Sequence, residues 1–155
     1  MTATVQSISE REDTRPAGVF RTYRTLQFGD CDPSGIAYFP SYLDLLVQAV
    51  EELFAQAGVP WKTLIGERRI GTPTLKLDVS FFKPGFHGDV LEFAIRIVRI
   101  GNSSMDLEHT ISAYGATLWS ASQRIVATSL ETHKACPWPD DVRAALSVYL
   151  ERKHA

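Results

Sequence analysis

Between Tyr42 and Ala57 the residues Tyr42, Leu45, Leu46, Ala49, Val50, Leu53 and Ala57 recur at three- and four-residue spacing, which marks a helix. Leu43, Val47 and Phe54 widen that stripe until only Asp44, Gln48, Glu51, Glu52 and Gln56 are left for water, so the helix needs cover on most of its sides. The rest of the chain is suited to supply it. Leu75, Leu77, Val79 and Phe81 alternate with polar residues, as do Leu91, Phe93, Ile95 and Ile97, and then Met105, Leu107, His109, Ile111 and Ala113. These read as half-buried antiparallel strands, with Gly101-Asn102 and Gly115-Ala116 as hairpin points and a last strand from about Leu118 to Thr132. An earlier strand runs from Val19 to Phe28 and is stopped by Gly29-Asp30-Cys31-Asp32-Pro33-Ser34-Gly35. Ser41 followed by Asp44 suits a cap at the helix start, Gly58-Val59-Pro60 closes it, and Pro137 and Pro139 introduce a short polar helix over Asp140 to Arg152. The expected class is α+β: a five-stranded antiparallel sheet wrapped around a long central helix, with a short C-terminal helix. Such a sheet leaves an edge that invites a second copy.

The 155 residues fit one domain, with 1–18 as a flexible, charged N-terminal tail and 19–155 as the single folded unit. A formal net charge of -2 gives no electrostatic case for nucleic-acid binding. No apolar run approaches the roughly 20 residues of a membrane helix, and the first 18 residues lack the apolar centre of a signal peptide, so a cytoplasmic protein without a membrane partner is expected. Cys31 and Cys136 are far apart and outside any metal-ligand spacing, which points to two reduced thiols and no structural metal.

The stretch Phe28-Gly29-Asp30-Cys31-Asp32-Pro33-Ser34-Gly35-Ile36-Ala37-Tyr38-Phe39-Pro40-Ser41-Tyr42 closely resembles the signature of the 4-hydroxybenzoyl-CoA thioesterase family. Similarity continues through Gly58-Val59-Pro60-Trp61 and Gly71-Thr72-Pro73 into Ser80-Phe81. The resemblance implies the hotdog fold, hydrolysis of an acyl-CoA thioester, and no cofactor beyond the coenzyme A carried by the substrate. It also implies that Asp32 is the catalytic carboxylate, as nucleophile or general base, and that the backbone N–H of Phe39 hydrogen-bonds the thioester carbonyl. The residues give their own account of this pairing. Asp32-Pro33-Ser34-Gly35 has good β-turn propensity, but it stands just before a buried helix, where free N–H groups and a partial positive charge point outward. A carboxylate beside such an anion-stabilising terminus can attack a thioester and hold the resulting oxyanion. Asp30 reads as structural, holding the loop through nearby N–H groups.

Gly35, Tyr38, Tyr42, Val47 and Thr72 are the candidate substrate pocket, and the aromatic residues around the loop and helix fit an aromatic or medium-sized acyl group. For the coenzyme A phosphates the family has a basic cluster near the turn between the third and fourth strands. This chain has Arg99-Ile100-Gly101-Asn102-Ser103-Ser104 there, so Arg99, Ser103 and Ser104 are the candidates, with Lys83, or Arg68 and Arg69 of a neighbouring subunit, as further cations. Cys31 is flanked by carboxylates that disfavour its thiolate, and Ser34 lacks a GxSxG setting. Asp44 and Glu51 on the helix are fallback acids. His87, His109, His133 and His154 all lie away from the helix start, which favours hydrolysis over a hydratase or dehydratase reaction. A non-catalytic acyl-CoA or lipid-binding module is the other alternative, and the intact Asp32 argues against it. Self-association as a dimer or a dimer of dimers is expected.

Overall fold

The structure is a computed structural model that describes residues 18–151; the expected N-terminal tail lies outside the described residues apart from Gly18. In chain order the elements are β1 (Phe20–Thr25), α1 (Phe39–Gln56), α2 (Trp61–Gly66), β2 (Ile70–Gly71), β3 (Thr74–Phe81), β4 (Val90–Ile100), β5 (Ser104–Ala113), β6 (Ala116–Val126), β7 (Thr128–Ser129) and α3 (Asp140–Leu146). Five strands form one antiparallel sheet in the order β1-β4-β5-β6-β3, and β2 pairs with β7 in a small separate ribbon. The two-residue alternation turns Leu91, Phe93, Ile95 and Ile97 of β4, and Met105, Leu107, His109 and Ile111 of β5, into the core. There they share one cluster with Tyr42, Leu45, Leu46, Ala49, Val50, Leu53 and Phe54 of α1. The alternate residues form a polar outer surface tied by ion pairs such as Arg124–Asp106 (2.7 Å) and Arg96–Glu151 (2.9 Å). This is the hotdog fold. No helix among the described residues is long and apolar enough to cross a membrane.

Several local expectations are corrected. Tyr38 caps α1, with Pro40 in its first turn, and Ser41 lies inside the helix with its N–H donating to the Tyr38 carbonyl (2.8 Å). Proline fits there because its missing N–H would have had no helical acceptor. The last strand does not run to Thr132. Its partner β5 begins at Ser104, which pairs with Val126, so beyond that rung the chain leaves the sheet and β7 pairs with β2 instead. The C-terminal helix stops at Leu146, and after a 3₁₀ turn Leu150 lies beside Ile97, where the Glu151 N–H donates to the Ile97 carbonyl (2.7 Å). It thereby continues the β4 edge past the Phe20–Ile95 end of β1. Strand β3 is an outer strand beyond the cover of α1, so only Leu77 and Val79 are partly buried and Leu75 is 69% exposed. On α1 itself, Val47 is 48% exposed and joins Asp44, Gln48 and Glu51 on the open side. Glu52, expected to face water, accepts hydrogen bonds from Thr22 Oγ1 (2.7 Å) and Arg24 Nη2 (2.6 Å) and fastens α1 to β1. Burial alone would raise its pKa, but these donors and the Arg24 charge hold it below the ordinary glutamate value.

His109 is a titratable side chain deep in the core, 1% exposed. Its Nε2–H donates to Gln123 Oε1 (2.8 Å), and the Gln123 amide donates to the Thr74 hydroxyl (2.9 Å), while Nδ1 has no partner. Burial lowers its pKa from 6.5 to about 4, against the opposing effect of the Gln123 bond. The imidazole therefore stays neutral in the folded chain down to about pH 4, whereas in the unfolded chain it takes a proton near 6.5. The unfolded state binds more protons in that window, so the stabilisation is complete above pH 6.5 and is lost as pH falls toward 4, on the order of 3 kcal/mol in all. Urea unfolding at stepped pH should show this loss, with a flatter slope in His109→Gln. An equal slope in that variant would assign the loss to other groups.

Candidate active site

The loop between β1 and α1 is a tight hairpin held from both sides. A 3₁₀ turn over Phe28–Asp30 opens it, and the Asp30 carboxylate accepts the Gln27 N–H (2.9 Å) while the Asp30 N–H returns to the Gln27 carbonyl (3.0 Å). The rungs then follow in order. Tyr38 N–H donates to Asp30 O (2.9 Å), Cys31 pairs with Ala37, and Asp32 N–H donates to Ile36 O (2.9 Å). A turn over Asp32 to Gly35 closes the hairpin with the Gly35 N–H on the Asp32 carbonyl (2.9 Å). Gly35 has φ +81°, a left-handed conformation that favours glycine, although a side chain there would meet no neighbour. On the other side the segment after β3 supports the hairpin: Ala37 N–H donates to Gly85 O (2.9 Å), His87 N–H to Gly35 O (3.0 Å), and Ile36 pairs with Phe86.

This scaffold presents Asp32 at the hairpin tip, exposed to solvent. Its Oδ1 accepts both the Ser34 hydroxyl and the Ser34 N–H (2.8 Å), and Oδ2 has no partner among the described residues. The Ser34 hydroxyl, then the Ser34 N–H, hold its pKa below the usual aspartate value, so it is ionised at neutral pH. Immediately after the last rung comes the start of α1. Pro40 has no N–H, the Ser41 N–H is taken by Tyr38, and the Phe39 N–H has no acceptor among the described residues. That N–H stands at the positive end of an 18-residue helix.

Beside it opens a cleft of about 340 Å³ between Ile36, Phe39 and Tyr42 on one side and Phe81, Phe82 and Pro84 on the other. Phe39, Tyr42, Phe81 and Phe82 make much of its wall aromatic, and the candidate cation Lys83 also lines it. Tyr42 stacks on Trp119 (centroids 5.1 Å apart) and on Phe81 (6.2 Å), and Phe39 meets Phe81 edge-on (6.4 Å). A cleft of this volume falls at the lower end of the range for small-molecule sites.

Of the expected site residues, Phe39 and Tyr42 line the cleft, Asp32 and Gly35 lie on the hairpin whose Ile36 lines it, and Tyr38 is exposed at the helix entry. Val47 lies eight residues along α1 from Phe39, roughly 12 Å by helical rise, and does not line the cleft. Thr72 precedes β3 whereas the cleft wall follows from its far end, so an eight-residue strand, roughly 26 Å, separates them within one chain. Arg99, Ser103 and Ser104 sit at the opposite end of the sheet, since β4 leaves the cleft end at Val90 and reaches Arg99 roughly 30 Å later. Their turn is stitched to the C-terminal segment by Trp138 Nε1–H on the Ser104 carbonyl (3.0 Å) and Arg143 on the Gly101 carbonyl (2.7 Å). The wall formed by Phe81, Phe82 and Pro84 escaped the sequence reading. Its signal was the pair Phe81-Phe82, because two successive large apolar residues cannot both face the core from one strand.

The other nucleophile and acid candidates sort by position. The Cys31 thiol is raised by burial and then by the charges of Asp30, Asp32 and Asp89, which disfavours its thiolate. Asp44 and Glu51 are exposed on the open side of α1 and do not line the cleft. His87 meets Phe28 at the surface (6.0 Å), and no three His, Cys, Asp or Glu side chains gather as a metal site among the described residues.

The sequence pattern of a thioesterase-like superfamily matches residues 26–146, which takes in the hairpin, α1 and the whole main sheet except β1. The chain belongs to that superfamily. It is a thioester hydrolase. It is 36% identical over 89 residues to a 4-hydroxybenzoyl-CoA thioesterase of Pseudomonas sp. strain CBS-3, covering 56% of this chain and 63% of that protein. With a 1,4-dihydroxy-2-naphthoyl-CoA hydrolase of Acaryochloris marina it shares 27% identity over 110 residues, 71% of this chain and 77% of the relative. A crystal structure of a 4-hydroxybenzoyl-CoA thioesterase variant in complex with 4-hydroxybenzoyl-CoA superposes with a TM-score of 0.78 at 26% identity, over 84% of this chain and all of that one.

The hydrogen bonds to Asp32 make a prediction about this thioesterase's pH dependence. Ser34→Ala removes the hydroxyl donor, so the Asp32 pKa moves up toward its ordinary value and the acid limb of the kcat/KM profile moves to higher pH. Rates of thiol release from an aryl-CoA ester, recorded from pH 3 upward, would show it; an unmoved acid limb would detach that limb from Asp32.

Proposed function

We propose that this thioesterase hydrolyses an aromatic or medium-sized acyl-CoA thioester to the free acid and coenzyme A, with Asp32 as the reacting carboxylate. One observation carries the reading: an ionised carboxylate whose Oδ2 has no partner among the described residues, and a helix-start N–H with no acceptor among them, belong to the same hydrogen-bonded hairpin, beside an aromatic cleft. An acyl ring lying among Phe39, Tyr42 and Phe81 turns its carbonyl toward the Phe39 N–H. As charge gathers on that oxygen, the N–H and the helix dipole stabilise it, a contribution of about 10²- to 10³-fold for a single donor of this kind. In the nucleophilic route Oδ2 attacks the carbonyl carbon, the C–S bond breaks, coenzyme A leaves as thiolate, and water then opens the mixed anhydride. In the general-base route Oδ2 takes a proton from a water that attacks the carbonyl carbon directly, and the C–S bond breaks as coenzyme A leaves as thiolate. Both relatives described above are named for aryl-CoA thioesters, which supports the aryl side of the range.

The candidate phosphate contacts Arg99, Ser103 and Ser104 are too far from Asp32 to share a ligand with it in one chain, so in this reading they serve a site on a neighbouring subunit. The outer strand β3, with Leu75 exposed, offers the edge for a dimer, and a dimer of dimers follows if a second surface pairs.

Asp32→Asn should keep the fold and lower kcat by about 10³-fold or more on the best aryl-CoA ester, while Asp44→Asn and Glu51→Gln stay near wild type. Thiol-release assays on the three variants decide it, and a reversed order would move the chemistry onto α1. Sedimentation at low micromolar concentration should give a dimer or tetramer; an active 17.3 kDa monomer would refute the assembly.

A further inference from the structure

The reaction as described uses the ring of Tyr42 and leaves its hydroxyl without a role. That hydroxyl is buried, 43 residues away in sequence from the group it meets, and accepts the backbone N–H of Gly85 at 3.1 Å. Gly85 leaves room for it by having no side chain, since a Cβ there would stand 2.5 Å from Tyr42 Oη and 2.9 Å from a Leu26 methyl. The carbonyl of the same glycine accepts the Ala37 N–H (2.9 Å), and Ala37 is two residues before Phe39. A closed ring results: Phe39 to Tyr42 through the first turn of α1, Tyr42 to Gly85 through the hydroxyl, Gly85 to Ala37 through the backbone, and back to Phe39. The neighbouring rungs, His87 N–H to Gly35 O (3.0 Å) and Asp32 N–H to Ile36 O (2.9 Å), tie the Asp32 turn to the same segment.

We propose that the Tyr42 hydroxyl is a positioning group for the thioesterase reaction, fixing the segment around Gly85 that holds the Asp32 hairpin against the start of α1. The inference rests on the roles given above to Asp32 and Phe39. Without the hydroxyl the Gly85 N–H is buried and unpaired, and the segment relieves this by shifting. Such a shift is passed through Ala37 and Ile36 to both reacting groups, and displacements of this size weaken catalysis far more than they weaken binding. The Tyr42 ring is held independently by Trp119 and Phe81, so removing only the oxygen leaves the cleft wall in place.

The test compares wild type, Tyr42→Phe, Gly85→Ala, the double variant and Asp32→Asn with benzoyl-CoA as probe. Tyr42→Phe should keep its circular dichroism and sedimentation, lose kcat by about 10- to 100-fold, and change KM less than about threefold. Its Gly85 amide should exchange with solvent faster than in wild type. Because both changes break one link, the double variant should be no slower than the slower single variant. A folded Tyr42→Phe with kcat within about twofold of wild type, a raised KM with kcat kept, or additive losses would each overturn the positioning role. Should Tyr42→Phe fail to fold, 3-fluorotyrosine at position 42 weakens the acceptor oxygen while keeping its shape: a lowered kcat at unchanged KM supports the role and an unchanged kcat overturns it. Full turnover in Asp32→Asn overturns the proposed function itself, whereas an inert Asp32→Asn beside a full-speed Tyr42→Phe overturns only the positioning role.

Discussion

Burial of α1 is the interaction on which the rest of this structure depends. Seven of its side chains are buried, and each large one gains roughly 1.5 to 3 kcal/mol over exposure, which no other element of the chain matches. A single helix cannot bury such a wide stripe against one flat surface. The sheet must curl, and an antiparallel meander curls because its strands twist and its two-residue alternation reserves one face for the helix. In the resulting order β5 is central, β4 and β6 flank it and share the long buried rows, and β1 and β3 are the outer strands.

The same geometry creates the site. The helix is covered on its apolar side and open along Asp44, Val47, Gln48 and Glu51, and its N-terminal turn emerges beside the segment that follows β3. Pro40 removes one helix-start donor, Tyr38 satisfies another, and the Phe39 N–H is left without an acceptor among the described residues, which is what the proposed reaction uses. Fold stability and chemistry meet at Tyr42, which is buried in the core through its ring and bonded to the site scaffold through its hydroxyl. The helix dipole is in this sense a consequence of core packing that becomes available to the reaction.

Much of this was legible in the sequence because it rests on local patterns. The helical stripe, the strand alternation and the Asp32 to Gly35 turn are all statements about neighbours in the chain, and each has its counterpart in the structure. What escaped depends on partners distant in sequence. Strand β6 ends at Val126 because β5 offers no further rung, and nothing in the residues Ala127 to Thr132 announces that limit. Glu52 reads as a solvent-facing residue until Arg24 and Thr22 are brought to it by the β1 packing. Phe81 reads as the last apolar position of a strand, and nothing local shows that Phe81, Phe82 and Pro84 form a wall until the hairpin of Asp32 docks beside them. Val47 fits an apolar stripe, yet a five-stranded sheet does not reach the side of the helix on which it lies.

The placement of Asp32 in an exposed turn, rather than in the core, has a physical logic of its own. A buried carboxylate would be driven toward its neutral form and would lose the charge that the proposed reaction needs. In the open hairpin the charge survives, but water around Oδ2 blunts its reactivity. Two features offset that. The Ser34 hydroxyl and N–H both bind Oδ1, so the carboxylate keeps a fixed orientation and a stabilised charge while Oδ2 has no partner among the described residues. Phe39 and Phe81, 58% and 52% exposed, then form an apolar surface that an aryl group can cover. In the proposed reaction, a ring settling there displaces water from the cleft, and every charge interaction at its mouth strengthens as the local dielectric falls. The carboxylate would thus become reactive only when an acyl group is present to receive it, and the aromatic surface that selects the substrate would also supply the dehydration its hydrolysis requires.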